Sequence, residues 1–348
     1  VSPDVDVLVV GGGPVGLAAA IEARRAGLDV VVLEPRPAPV DKACGEGLMP
    51  GTLAAARRLG VDPPGRDLRG ISYRQDGRVA DHLFRSGPGR GVRRTTLHAA
   101  LQTAALAAGA AVVPGRVTSV TQDDDGVTAG GVRAAWLLAC DGLHSRVRRE
   151  VGLEQAARGG APARPGVPGR RFGLRRHYRV APWSDLVEVH WGPRAEAYVT
   201  PVADGLVGVA LLGPPGADFD VELATIPELA TRLAGAVPDG PVRGAGPLRV
   251  RTTARTAGRV RLVGDASGYV DALTGEGLRV GFAQARAAVV HLDDAPGYER
   301  AWRRATRDYR LLTSGLVGAA ASPLRRGVVP AARRLPGVYG AVVERLAR

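Results

Sequence analysis

Cysteine, aromatic side chains and lysine are all scarce in this chain of 348 residues. Its two cysteines, Cys44 and Cys140, lie far apart, so neither a disulfide framework nor a cysteine metal set is expected. No His/Cys/Asp cluster has ligand spacing, and no metal is expected. Lys42 is the single lysine among 47 basic residues, so the net charge of +13 is almost wholly arginine. Arginine in place of lysine, with 48 glycines and 26 prolines, reads as GC-rich coding bias. No Lys/Arg block interleaved with aromatics occurs, which argues against nucleic-acid binding. No apolar run reaches transmembrane length and no leader precedes the first apolar run, so a reducing, cytoplasmic setting is expected. The length allows two packed regions with a sizeable core.

The most informative stretch is VDVLVVGGGPVGLAAAIEARRAGLDVVVLE, Val5 to Glu34. The apolar run Val7 to Val10 reads as a buried parallel strand, Leu17 to Ala26 as a helix and Val30 to Leu33 as a second strand. Between them Gly11, Gly13 and Gly16 have G-x-G-x-x-G spacing. Gly11 serves the tight turn, Gly13 the approach of a pyrophosphate, and Gly16 close helix–strand packing. The helix N-terminus offers free N–H groups to phosphate. Glu34 stands about 20 residues on, where an acid accepts from a ribose hydroxyl. Pro14 and Val15 inside the turn, and Pro35 and Arg36 after the acid, are assigned to the same dinucleotide site.

The loop after Glu34 holds Lys42, Cys44, Gly45, Glu46 and Gly47, close enough in sequence to cross the cofactor. Cys44 reads either as a small buried filler or as a thiol near a redox ring. A helix is expected from Gly51 to Leu59, and short strands between 68 and 86. Arg94 opens the next helix and faces either solvent or a phosphate. Val117 to Thr121 and Val127 to Val132 form a hairpin around DDDG, with Val117 assigned to the cofactor. The strand Trp136 to Cys140 runs into Asp141-Gly142, with Ser145 and Arg148 beyond. Gln155 to Arg171 reads as a mobile connection. Three alternating runs follow, Leu186–Trp191, Glu196–Val202 and Leu206–Leu212, as an antiparallel sheet. On the first two of them His190, Trp191, Tyr198 and Thr200 are candidates for a pocket wall, each with a purely structural role as the alternative. Ile226 to Ala236 reads as a helix, and a strand Val260–Val263 delivers Gly264-Asp265. Gly275 and Gly277 then open a helix to about Leu292. Tyr298 to Gly315 is a basic amphipathic helix, either a solvated face over the core or a weak membrane-surface contact.

Three of these motifs in order, Gly11 to Glu34, Asp141-Gly142 and Gly264-Asp265, resemble the FAD-dependent monooxygenases typified by aromatic hydroxylases. The loop Lys42-Ala43-Cys44-Gly45-Glu46-Gly47-Leu48 and the segment Leu273 to Gly277 are similar to the geranylgeranyl reductase-like branch of that fold. Gly268 and Ala272 stand where the hydroxylases usually carry His and Pro. The Trp-x-Trp-x-Ile-Pro run of flavin-dependent halogenases is missing.

The resemblance implies an α/β fold. It comprises a Rossmann-like FAD-binding domain of the para-hydroxybenzoate hydroxylase type (1–73, 92–155 and 254–296), an antiparallel-sheet substrate domain (74–91 and 172–253) and a C-terminal helical segment (297–348). It implies FAD held by Gly11, Gly13, Pro14, Val15, Gly16, Glu34, Pro35, Arg36, Lys42, Cys44, Gly45, Arg94, Val117, Asp141, Gly142, Ser145, Gly264, Asp265, Gly275, Gly277 and Leu278. In that family Asp265 would bind the ribityl hydroxyls. The Gly275–Leu278 helix start would aim N–H groups at the flavin ring. The implied reaction is NAD(P)H-driven: O₂ adds at flavin C4a, and the hydroperoxide hydroxylates a lipophilic phenol or quinol of secondary metabolism. The alternative is reduction of isoprenoid C=C bonds; a further one is flavin binding without turnover. Cys44, Glu46, His190 and Tyr198 are the catalytic candidates by position. Nothing in the sequence indicates an oligomeric state.

Overall fold

The structure, a computed structural model, describes residues 3–155 and 170–348. Most of the connection expected between Gln155 and Arg171 therefore lies outside the described residues. The first sheet is built on Val5–Val10, whose last four residues are essentially inaccessible. Both neighbours, Val30–Glu34 and Val132–Ala139, run parallel to it. Ala111–Pro114 and Val260–Leu262 extend the sheet, also in parallel. Strands covered on both faces read as unbroken apolar runs, which explains why three of them were visible in sequence.

The helix Pro14–Arg25 covers this sheet. It buries four alanines and Leu17 and Ile21, and small side chains permit close approach. Gly16 sits so near the first strand that a Cβ there would lie 1.8 Å from the Gly11 carbonyl oxygen. The helix Gly277–Val290 packs alongside, and a Cβ on Gly281 would meet Val15 at 2.4 Å. This late helix thereby completes the core begun at residue 5, with Phe282, Ala285 and Ala288 in one apolar cluster with Leu17 and Ile21.

Among the described residues the second sheet has seven strands. Their order is Val237–Ala245, Phe172–Arg179, Leu206–Gly213, Glu196–Ala203, Leu186–Trp191, Gly70–Gln75 and Arg78–Leu83. All pairings are antiparallel except Leu186–Trp191 with Gly70–Gln75. Two strands escaped the sequence reading. Phe172–Arg179 is crowded with arginines, and Val237–Ala245 contains proline and glycine and lies exposed at the edge. Residues 70–73, expected in the first domain, belong to this sheet. The helix expected over 226–236 is shorter, Pro227–Arg232, and another, Phe219–Ala224, precedes it.

Strand alternation gives the second sheet two different faces. Val187, Val189 and Trp191 look toward Met49, Leu273, Val317 and Val343. Ala197, Val199, Val207 and Val209 pack under Phe219, Leu223 and Leu229. The helices Ala295–Ala320, Val328–Arg334 and Pro336–Ala347 complete the chain. Tyr298, Trp302 and Tyr309 of the long helix are buried, while Leu312 is half-buried, so its apolar stripe covers core.

Gly16→Ala tests the tightest of these contacts. The added methyl has only backbone to meet, so stability should fall by roughly 3 kcal/mol or more. Urea denaturation and retention of flavin on gel filtration both report it.

Candidate functional site

A cleft of about 580 Å³ runs between the two sheets and is bordered by the last helix. Its first half is a polar cradle. Gly11 turns with φ of +104°, and Gly13 caps the helix in extended conformation without a side chain of its own. Glu34 is buried and accepts from the Gly12 amide at 2.9 Å and from the Arg36 amide and guanidinium. Burial opposes its ionisation, but the Arg36 contacts and the Gly12 N–H outweigh it and hold the carboxyl below its ordinary pKa. Pro35, Arg36 and Val117 line the same end.

Asp141 ends the strand Val132–Ala139. Its Oδ2 accepts from the amides of Arg146 and Val147 at 2.7 and 3.1 Å, while its buried Oδ1 has no partner among the described residues. Burial raises its pKa. Ser145 departs from expectation: it is fully buried, accepts from the Arg148 amide at 2.9 Å and does not line the cleft. It supports Asp141 from behind as a helix cap. Gly16 likewise stands behind the cleft wall, as its packing role requires.

Lys42, Arg94 and Asp265 meet at the middle of the cleft. Burial lowers the Lys42 pKa, against the attraction of Asp265. Burial also raises the Asp265 pKa, against Lys42 and Arg94. The Arg94 Nε is buried without a partner among the described residues, and its guanidinium borders Gly13. Gly264, at φ +65°, donates its amide to Gln284 Oε1 at 2.7 Å and so fixes the backbone before Asp265. The helix Gly277–Val290 points an N-terminus without a side-chain cap at the same space, lined by Gly275, Gly277 and Leu278.

These residues fit FAD. The unsatisfied Arg94 Nε, the Lys42 ammonium and the helix start suit a pyrophosphate. Asp265 and Asp141, both lining the cleft, suit polyol and ribose hydroxyls. Beside Gly275 a Cβ would meet nothing within 4 Å, which leaves room for a flat ring.

The loop Lys42–Leu48 borders both halves. Gly45 is open, and Cys44 Sγ accepts weakly from the Glu46 amide at 3.4 Å. Glu46 adopts φ of +61°, a backbone region rare for non-glycine residues. Its Oε1 accepts from the Arg94 amide at 2.9 Å, and its Oε2 meets His177 Nε2 at 2.6 Å. Both oxygens are thus engaged, which makes Glu46 a positioning residue for the loop. Thr200 reinforces it by donating to the Gly45 carbonyl at 2.8 Å.

The second half of the cleft is apolar, walled by Met49, Ile71, Val187, Val189, Leu248 and Val343 among others. Tyr198 lines it but donates its hydroxyl to the Leu273 carbonyl at 2.7 Å. Tyr73 also lines it, packed 5.6 Å from the Trp191 ring and 5.0 Å from the Tyr339 ring. Burial pushes its phenol up to about 12, and its hydroxyl has no hydrogen-bond partner among the described residues. His190 is corrected: it sits on the other face of its strand, 3.0 Å from Glu188, away from the cleft. Strand alternation decides this, since Val187 and Val189 face the cavity and Glu188 and His190 face away.

Four functional residues were not foreseen: His98, His177, Gln284 and Tyr73. His98 Nε2 meets the Gly12 carbonyl at 2.9 Å. Its position one helical turn after Arg94 is the only sequence signal it gives. The others come from strands or helices distant in sequence and give none.

Comparison with known proteins places these features. Residues 4–164 match the model of an FAD binding domain. Protoasukamycin 4-monooxygenase of Streptomyces nodosus subsp. asukaensis is 30% identical over 332 residues, covering 84% of this chain and 80% of that one. A menaquinone reductase of Mycolicibacterium smegmatis is 38% identical over 165 residues; the match covers 42% of this chain and 40% of the reductase's length. The structure of p-nitrophenol 4-monooxygenase from Pseudomonas putida DLL-E4 superposes with a TM-score of 0.80 at 21% identity, over 98% of this chain and 96% of that one.

Glu276, at the start of the Gly277–Val290 helix, generates a pH prediction. Burial pushes its carboxyl up to about 7, although Arg279 pairs with it. A folded pKa above the unfolded value of 4.5 means stability is fullest below pH 4.5 and declines as pH rises through 7. Melting temperatures measured from pH 4.5 to 8 should show this decline in the parent protein and a flatter profile in Glu276→Gln.

Proposed function

The chain belongs to the superfamily of FAD-dependent monooxygenases typified by the aromatic hydroxylases, and from that premise we propose that it hydroxylates a lipophilic phenol or quinol at the expense of NAD(P)H and O₂. The observation that carries this reading is the continuity of the cleft. One end is a charged dinucleotide cradle, and the other is an apolar chamber whose wall includes Tyr73. A long alkyl or isoprenoid substituent fits such walls through burial worth about 25 cal/mol per Å².

When bound, FAD supplies electron transfer and the activation of dioxygen. The chain's own residues do the rest. Arg94, Lys42 and the Pro14–Arg25 helix start hold the phosphates, and Asp265 fixes the polyol. The amides at Gly277 and Leu278 favour negative charge on the ring. Tyr73, neutral at working pH, donates a hydrogen bond to the substrate's oxygen and sets its ring against the loop Cys44–Gly45. The apolar walls exclude water from that point.

A second reading, reduction of an isoprenoid C=C bond, is favoured by Cys44, whose thiol lines the cleft. Dioxygen separates the two. With NAD(P)H and a panel of long-chain alkylphenols and hydroquinones, substrate-dependent O₂ uptake and a product one oxygen heavier are expected. Steady turnover of a prenylated quinone under anaerobic conditions would replace the first reading with the second. Tyr73→Phe should raise KM roughly fivefold while kcat changes less than twofold, since a neutral hydrogen bond contributes about 1 kcal/mol. Steady-state kinetics check this.

A further inference from the structure

The last helices carry a surface that the cleft does not use. From 309 to 348 the chain has seven arginines and one acidic residue, Glu344. Glu344 is turned inward, accepting from the Arg85 amide and meeting His82, each at 2.9 Å. Arg325 is also turned inward, onto Glu196 and the Gly192 carbonyl, and Arg345 pairs with Asp308. Arg326, Arg333 and Arg334 remain exposed and meet no carboxylate among the described residues. The same short stretch exposes Leu324 at 71%, Leu335 at 57% and Val338 at 60%.

Large apolar side chains interleaved with arginine make an interfacial composition. The guanidinium stems can cover apolar surface while their heads reach phosphate. A nucleic acid would use the arginines and leave Leu324, Leu335 and Val338 without a partner. A second copy meeting this face isologously would set the arginines against themselves. No helix among the described residues is long and apolar enough to cross a membrane, so contact would be peripheral. The helix Pro336–Ala347 links this surface to the cleft: Val338 faces solvent, while Val343, Leu346 and Ala347 line the chamber.

We propose that this face docks on an anionic lipid bilayer, with Leu324, Leu335 and Val338 entering the interface and Arg326, Arg333 and Arg334 at the headgroups. The helix that walls the apolar chamber is thereby held at the lipid boundary. The proposal is independent of which reaction the cleft performs.

The test is co-sedimentation of the full FAD-loaded chain with phosphatidylcholine vesicles, with and without phosphatidylglycerol. Binding should require the anionic lipid and weaken as salt rises. Arg326→Glu/Arg333→Glu/Arg334→Glu should bind at least about tenfold more weakly, because each arginine near the surface contributes attraction to the anionic headgroups. Leu335→Ser/Val338→Ser should also lose binding. Retained flavin absorbance shows that the variants are folded, and the milder Arg333→Gln/Arg334→Gln serves if the triple reversal is not. Equal binding to neutral vesicles, no binding, or variants that bind like the parent would overturn the proposal. So would a dimer in sedimentation velocity that these variants convert to monomer, which would assign the face to a second copy.

Discussion

The buried contact of the Glu46 carboxylate with the His177 ring and the Arg94 amide joins parts of the chain 131 and 48 residues away from it. One partner lies in the second sheet, and the other opens the helix Arg94–Ala107 beside the dinucleotide cradle. A carboxylate at a helix N-terminus is electrostatically favoured. That stabilisation offsets the left-handed backbone at Glu46, which costs on the order of 1–3 kcal/mol. The loop held this way keeps Cys44 and Gly45 at the seam between the polar and apolar halves of the cleft. His177 is in turn hydrogen-bonded to Arg175, which pairs with Asp41, so the tie continues to the loop's own beginning.

The two halves of the cleft differ in how their walls are stabilised. Around the cradle, backbone approaches backbone because glycine and alanine stand at the contacts, and the charged groups left over await an anionic partner. Around the chamber, the walls are large apolar side chains, and the ionic groups are turned away. Glu196 is fully buried there and pairs with Arg171 and Arg325, while Arg171 also reaches Asp271. Burial raises the pKa of Glu196, and the two arginines oppose that shift. A buried acid shared by two arginines is costly to break, so it fixes the C-terminal segment on the sheet. The segment's remaining arginines are left for the outside.

The cradle was legible because its chemistry is local. Gly11, Gly13, Gly16 and Glu34 lie within one β-α-β unit, and their spacing encodes the turn, the packing and the acid. Asp141 and Gly264-Asp265 were legible for the same reason: each follows an apolar strand directly. Ser145 was placed one layer too near the cofactor because sequence proximity to Asp141 does not reveal which side of the turn a side chain takes. His190 was placed in the wall because its strand was recognised while its facing was not. A period of two leaves both faces open until another element covers one of them. Phe172–Arg179 was missed because Arg175 and His177 turn inward onto Asp41 and Glu46 instead of water, an outcome invisible without the partners.

The sequence by itself determined the cofactor-binding unit, the presence of a second sheet and the amphipathic character of the late helices, because turn geometry, apolar runs and helical spacing are properties of neighbouring residues. Only the tertiary structure decided what Glu46 does, which face of the second sheet looks into the cleft, and that Tyr73 and the helix Pro336–Ala347 share a chamber with residues more than a hundred positions away. Those outcomes depend on which surfaces meet when the late helices close over the early strands, and buried charges and hydroxyls acquire their roles from partners that the chain supplies only on folding.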